Sequence, residues 1–252
     1  MKFQRLIPLS VAVLVWILSQ VFLIEPKFFY AALAIGAVAI ILGVKFIVGR
    51  EKAVAWLPLI IAPLLFSVSF SAYAAIIVNR LLIQFIFLLV AWFNFVYLKN
   101  LYYYFIHNNA ERAARLDNLL AAGGFLTMFA ATAVLFALPA FLNWSLLVTL
   151  PMIAVLSGLT FVQFLPIKKI AWSATAAALL LNVLILTELA GAFSLWPLNF
   201  NVLALLFAIV YYLSLSVMRL YWSDNLRRRA LKLPLILSII AVLLLILTAR
   251  WF

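Results

Sequence analysis

The chain has 252 residues, 70% of them apolar and only 10% charged, with a formal net charge of +12 and a mean hydropathy of +1.28. Soluble domains hold about 45–50% apolar residues, so a water-soluble globular fold is excluded and most of the chain must lie in lipid. With no cysteine there is no disulfide, thiolate metal site or cysteine nucleophile, and the single histidine, His107, cannot make a bis-histidine haem site.

A hydrocarbon core about 30 Å thick takes roughly 20 apolar residues per helix. Charged and turn-forming residues cut the sequence into nine such runs, at 6–24, 28–48, 54–78, 81–98, 118–138, 145–165, 170–190, 200–222 and 234–249. Each is predicted to be helical, because a backbone in hydrocarbon must satisfy its own hydrogen bonds and the alternation of barrel strands is absent. The expected fold is an all-α polytopic integral membrane helical bundle, one transmembrane domain over residues 1–252 with no soluble domain.

The first run is followed directly by Glu25, Pro26 and Lys27 rather than by a small-residue cleavage site, so it is expected to be a retained span. The second places Ala32 four residues before Gly36 and Ala39 four before Gly43, small residues that let helix backbones approach closely. From Ala53 to Leu98 the only charge is Arg80; a helix of that length would be roughly 67 Å long, about twice the hydrocarbon thickness, so the chain must turn back, at Asn79 and Arg80. Within the third run Pro63, Ser67 and Ser71 recur at intervals of four, which predicts a kinked helix with a freed carbonyl and a weakly polar stripe.

The connection from Lys99 to Asp117 opens with Leu101-Tyr-Tyr-Tyr-Phe-Ile106, aromatic enough to form a short interfacial helix, and Asn109 is placed to cap a further turn over 110–115. Gly123 and Gly124 in the fifth run, and Ala174 and Ala178 in the seventh, are further expected packing points. Gln20, Asn94, Gln163 and Asn182 are isolated amides, expected to hydrogen-bond between helices. No internal repeat stands out.

Orientation follows from basic residues, which collect on the cytoplasmic side. Nine spans with the N-terminus in the cytoplasm and the C-terminus outside put 15 of the 18 lysines and arginines inside. They are Lys2 and Arg5; Lys45, Arg50 and Lys52; Lys99, Arg112 and Arg115; Lys168 and Lys169; and Arg219, Arg227, Arg228, Arg229 and Lys232. Only Lys27, Arg80 and Arg250 fall outside. Tryptophan prefers the membrane interface, and Trp56, Trp144, Trp172, Trp196, Trp222 and Trp251 fall at span ends, against Trp16 and Trp92 deeper in. The basic excess is therefore a topology signal and a source of contacts to anionic lipid, at Lys168, Lys169, Arg227, Arg228 and Arg229, rather than a nucleic-acid surface.

For function, an ionisable residue at membrane depth is the first thing to seek. The sequence places almost none there. Arg80 heads the fourth span and Gln84 shares its helical face, while Glu188 lies near the outer end of the seventh span. Together with Ser71 these residues are predicted to line an outward-facing polar recess suited to an anionic headgroup or small solute. No catalytic residue, metal site or cofactor is expected, since no Asp-rich diphosphate pair, Gly-x-Ser-x-Gly elbow, phosphate loop or His-Glu-x-x-His occurs.

The leading expectation is a non-catalytic scaffold, assembly factor or subunit of a membrane complex, with the bilayer, its anionic headgroups and another membrane protein as partners. A transporter or lipid-handling protein using the recess is the alternative. An intramembrane transferase with Glu25 or Glu188 as base comes third, because four of the six acidic residues fall in inner loops. The expected location is a cell membrane, the compact loops pointing to a bacterial plasma membrane.

Overall fold

The structure, a computed structural model, describes residues 3–49, 56–107, 110–168, 170–223 and 228–248. Every regular element among them is a helix. The α-helices are α1 (Ile7–Ile24), α2 (Phe29–Val48), α3 (Leu57–Ala75), α4 (Arg80–His107), α5 (Ala110–Leu142), α6 (Leu146–Val162), α7 (Leu165–Lys168), α8 (Trp172–Ser194), α9 (Phe200–Trp222) and α10 (Arg228–Thr248). Eight stretches are long and apolar enough to cross a membrane, namely α1 to α5, α6 with α7 as one, α8 and α9; α10 adds a shorter apolar run, Pro234–Leu245. The protein is thus an all-α, multi-pass integral membrane bundle of eight to nine long apolar helices. Large side chains such as Leu14, Ile35, Leu88, Val155 and Leu184 are exposed along mid-helix, as lipid contact requires.

The described chain forms two compact units, Met1–Gly123 and Gly124–Phe252, with α5 beginning in the first and ending in the second. In the first unit α1 packs on α2 and α4, and α3 on α2 and α4. Two features explain the close fit. Gly43 of α2 faces α1 so closely that a Cβ there would lie 2.9 Å from Val11 Cγ2, so only glycine permits this approach. Phe66 of α3 stacks on Phe93 of α4 with centroids 3.9 Å apart, and a Cβ on Gly123 of α5 would meet two carbons of the Phe93 ring at 2.5 Å. The glycine opens the space that this ring occupies.

In the second unit α6 packs on α8, α8 on α9, and α9 on α10. Phe136 and Phe207 join α5 to α9 edge to face at 6.3 Å, and Phe161 and Tyr211 join α6 to α9 at 5.4 Å. The Trp222 indole N–H donates to Thr175 Oγ1 of α8 at 2.8 Å, and Ser214 of α9 donates to Asn182 Oδ1 of α8.

Helix ends differ from the sequence expectations where hydropathy and helicity part company. No separate interfacial helix follows Lys99: Leu101–Ile106 form the last turns of the 28-residue α4, and residues 110–115 the first turns of the 33-residue α5. The reason is packing, since Leu98, Leu101 and Tyr104 continue one buried face of α4, and Arg112 of α5 lies over the Tyr103 ring at 5.1 Å. Asn109, the expected cap, lies outside the described residues. Asn79 instead caps α4, accepting from the Leu81 amide at 3.0 Å. The sixth span breaks at Gln163 and Phe164, because Pro166 lacks an N–H and its ring would clash with the Val162 carbonyl. In α8 the contact face runs through Thr175, Leu179 and Leu186, while Ala174 is exposed.

Candidate functional site

A concave recess lies within the first unit, between α1, α2 and α3 and floored by Phe87 of α4. Its enclosed volume is about 40 Å³, within a recess of about 480 Å³ that includes its open mouth. The sequence explains why helices pack here without filling the space between them. Ala32, Gly36 and Ala37 of α2, Ser19 of α1, and Ser67 and Ser71 of α3 all line it, and none of these side chains reaches far from its backbone. A Cβ built on Gly36 would find its nearest neighbour, Leu18, at 3.8 Å. Gly43, two turns on, has no such room, so one stripe of small residues closes the helix pair at one end and leaves a pocket at the other. The walls are otherwise Val15, Leu18, Phe22, Phe29, Leu33, Ile40, Leu64 and Val68. Phe22 meets Phe29 at 4.9 Å and Phe87 at 6.1 Å, forming an aromatic end wall.

The polar side chains of this lining are three serines, Ser19 of α1 and Ser67 and Ser71 of α3. Ser19 bonds the Val15 carbonyl of its own helix at 2.8 Å and is spent locally. Ser67 is different: Asn94 Nδ2 of α4 donates to its Oγ at 2.9 Å and to the Val90 carbonyl at 2.8 Å. Asn94 is fully buried, and its Oδ1 has no hydrogen-bond partner among the described residues. One turn below, Pro63 cannot donate to the Leu59 carbonyl; the Tyr97 hydroxyl of α4 does so instead, at 2.6 Å. Tyr97 satisfies the carbonyl that Pro63 leaves without its usual donor and ties α3 to α4.

The residues predicted to form a recess belong to three helices, α3, α4 and α8. Ser71 lines the pocket. Gln84 is exposed and exchanges two amide hydrogen bonds with Gln20 of α1, at 3.0 and 2.9 Å. Arg80 is exposed at the head of α4, and Glu188 is exposed on α8 in the second unit. Of the basic residues expected to touch anionic lipid, Lys168 ends α7 half-buried, and Arg228 and Arg229 open α10. Lys169 and Arg227 lie outside the described residues.

A second polar cluster lies inside the second unit. Ser157 Oγ and Gln163 Nε2 are buried there without hydrogen-bond partners among the described residues, and the buried Tyr211 hydroxyl lies beside Thr160. Gly124 makes room for two of them, since a Cβ on it would lie 2.9 Å from Tyr211 Oη and 3.4 Å from Gln163 Nε2. Thr160 bonds the Ser157 carbonyl at 2.8 Å and approaches Met128 Sδ at 3.8 Å. Sequence reasoning noted Gln163 and Gly124 separately and missed Tyr97, Tyr211, Ser157 and Thr160. Pro63 is the one local signal that a donor such as Tyr97 is needed.

Among the described residues no group of three or more His, Asp or Glu side chains is placed to hold a metal ion. Comparison of the chain with known protein families, with curated proteins and with solved structures finds no match.

Proposed function

We propose that this is a non-catalytic, lipid-handling membrane protein whose first unit holds one apolar molecule in the α1–α2–α3 pocket. The observation that carries the reading is the pocket itself, a recess between apolar helices α1, α2 and α3 walled almost wholly by aliphatic and aromatic side chains. An empty apolar cavity forfeits dispersion contacts along its whole lining. A hydrocarbon chain restores them at no cost in polar desolvation, whereas a hydrated solute would gain little from such walls. The scaffold role is compatible with this reading, since a held lipid can serve as a structural ligand within a larger assembly.

In the same proposal the N-terminus lies in the cytoplasm and the C-terminus outside. The distribution of lysine and arginine supports this orientation. It places Phe22, Phe29 and Ser71 in the outer half of a cell membrane. Arg80 then contacts headgroups of the outer leaflet, and Lys168, Lys169, Arg227, Arg228 and Arg229 contact anionic headgroups of the inner one.

The test is photolabelling in intact membranes with a diazirine-bearing fatty acyl lipid. Label concentrated on pocket residues such as Leu18, Leu33 and Leu64 is the expected result. Label spread over outward-facing residues such as Leu14 and Leu88 in proportion to their exposure would overturn the reading.

A further inference from the structure

The hydrogen bonding of Ser67 narrows the class of molecule the pocket takes. The Val90 carbonyl can only accept, so the Asn94 atom 2.8 Å from it must be the amide nitrogen, and the same nitrogen lies 2.9 Å from Ser67 Oγ. Ser67 oxygen is therefore the acceptor of that bond, and its own proton must go elsewhere. Ser10, Ser19 and Ser216 hand theirs to a carbonyl of the preceding helical turn. Among the described residues Ser67 makes no such bond, and it lines the pocket. Ser71, one turn on, also lines the pocket and makes no hydrogen bond among the described residues.

We infer that the pocket selects a neutral lipophile carrying a carbonyl-type acceptor oxygen, held by the Ser67 hydroxyl that Asn94 orients. The inference rests on the lipophile reading and specifies it. Ser67 is the eleventh residue of the 19-residue α3, near the middle of its helix, so the acceptor is met at membrane depth rather than among headgroups. A charged group at that depth would need a counter-charge, and the pocket lining contains none. A carbonyl oxygen takes the proton that Asn94 leaves available and brings no donor of its own that would need a further partner in an apolar lining. Aromatic rings at the end wall, Phe22, Phe29 and Phe87, suit a planar carbonyl ring as well as a chain.

The experiment compares two probes of matched size, decyl-benzoquinone and decylbenzene, binding to the purified full chain in detergent micelles. Wild type is expected to prefer the quinone by about tenfold, the worth of one hydrogen bond in a dry site. Ser67→Ala should abolish that preference while leaving decylbenzene binding unchanged, which also reports that the variant is folded. Ser67→Thr, which keeps a hydroxyl, should restore it. The carbonyl stretch of the quinone bound to wild type should move to lower frequency than in alkane. Equal affinities on wild type, or an unshifted stretch, would overturn the inference and leave the lipophile reading standing. Failure of both probes to bind would remove both.

Discussion

Replacing Tyr97 by phenylalanine takes a single oxygen from a fully buried side chain, and its effect isolates how the proline-containing third helix is held. The Tyr97 hydroxyl donates to the Leu59 carbonyl at 2.6 Å, and that carbonyl is free only because residue 63 is proline. Leaving a buried acceptor unsatisfied costs about 1–3 kcal/mol in soluble proteins. Measured interhelical bonds in membranes average about 0.6 and reach about 1.7 kcal/mol. Because Leu59 is 1% exposed and has no lipid-side alternative, the upper part of the membrane range applies, so Tyr97→Phe should destabilise by about 1–2 kcal/mol.

Pro63→Ala returns an amide donor to the Leu59 carbonyl, and in that background Tyr97→Phe should cost less than about 0.5 kcal/mol. The coupling of roughly 1 kcal/mol is the signature of the proposed division of labour. Equilibrium unfolding of the four proteins in mixed micelles measures it. Equal costs in the two backgrounds would refute the idea that the tyrosine replaces the bond proline deletes.

Other substitutions probe separate contacts. Gly123→Ala puts a methyl group 2.5 Å from the Phe93 ring, itself stacked on Phe66, and should lower thermal stability by about 1–3 kcal/mol, with Phe93→Leu partly restoring it. Gln20→Leu or Gln84→Leu alone leaves one amide of a reciprocal pair facing lipid and should cost about 1 kcal/mol, whereas the double leucine variant should regain most of the loss in the same unfolding assay. The absence of native cysteine makes single-cysteine labelling clean. In intact cells Asn79→Cys and Ser145→Cys should react with a membrane-impermeant maleimide, and Ala110→Cys and Ser223→Cys only after permeabilisation; the reverse pattern would invert the proposed orientation.

The helices themselves were readable because membrane burial leaves a strong and local mark. The run 200–222 and helix α9 (Phe200–Trp222) coincide, since a drop in hydropathy and an Asn199 cap fall at the same place. Helices α4 and α5 outrun their predicted spans because charge at Lys99 and Arg112 ends the apolar run without ending the helix; Leu101 and Leu116 go on packing beyond it. Gln20 was recognisable as an amide seeking a partner, but Gln84 stands 64 residues away and nothing local selects it. The pocket was the least legible feature. It consists of volume that three helices fail to fill, and small residues such as Gly36 and Gly43 look alike in sequence until the structure shows that Val11 crowds one and only Leu18 stands off the other.

Native mass spectrometry of the protein released directly from membrane vesicles tests the central claim most directly, with Gly36→Leu as the comparison. The leucine Cβ fits against Leu18 at 3.8 Å and its remaining atoms enter the pocket, so the variant should fold with the space taken. Wild type is predicted to carry one tightly held neutral lipophile per chain and Gly36→Leu none. The same adduct at the same occupancy on both proteins, or on neither, would contradict the account.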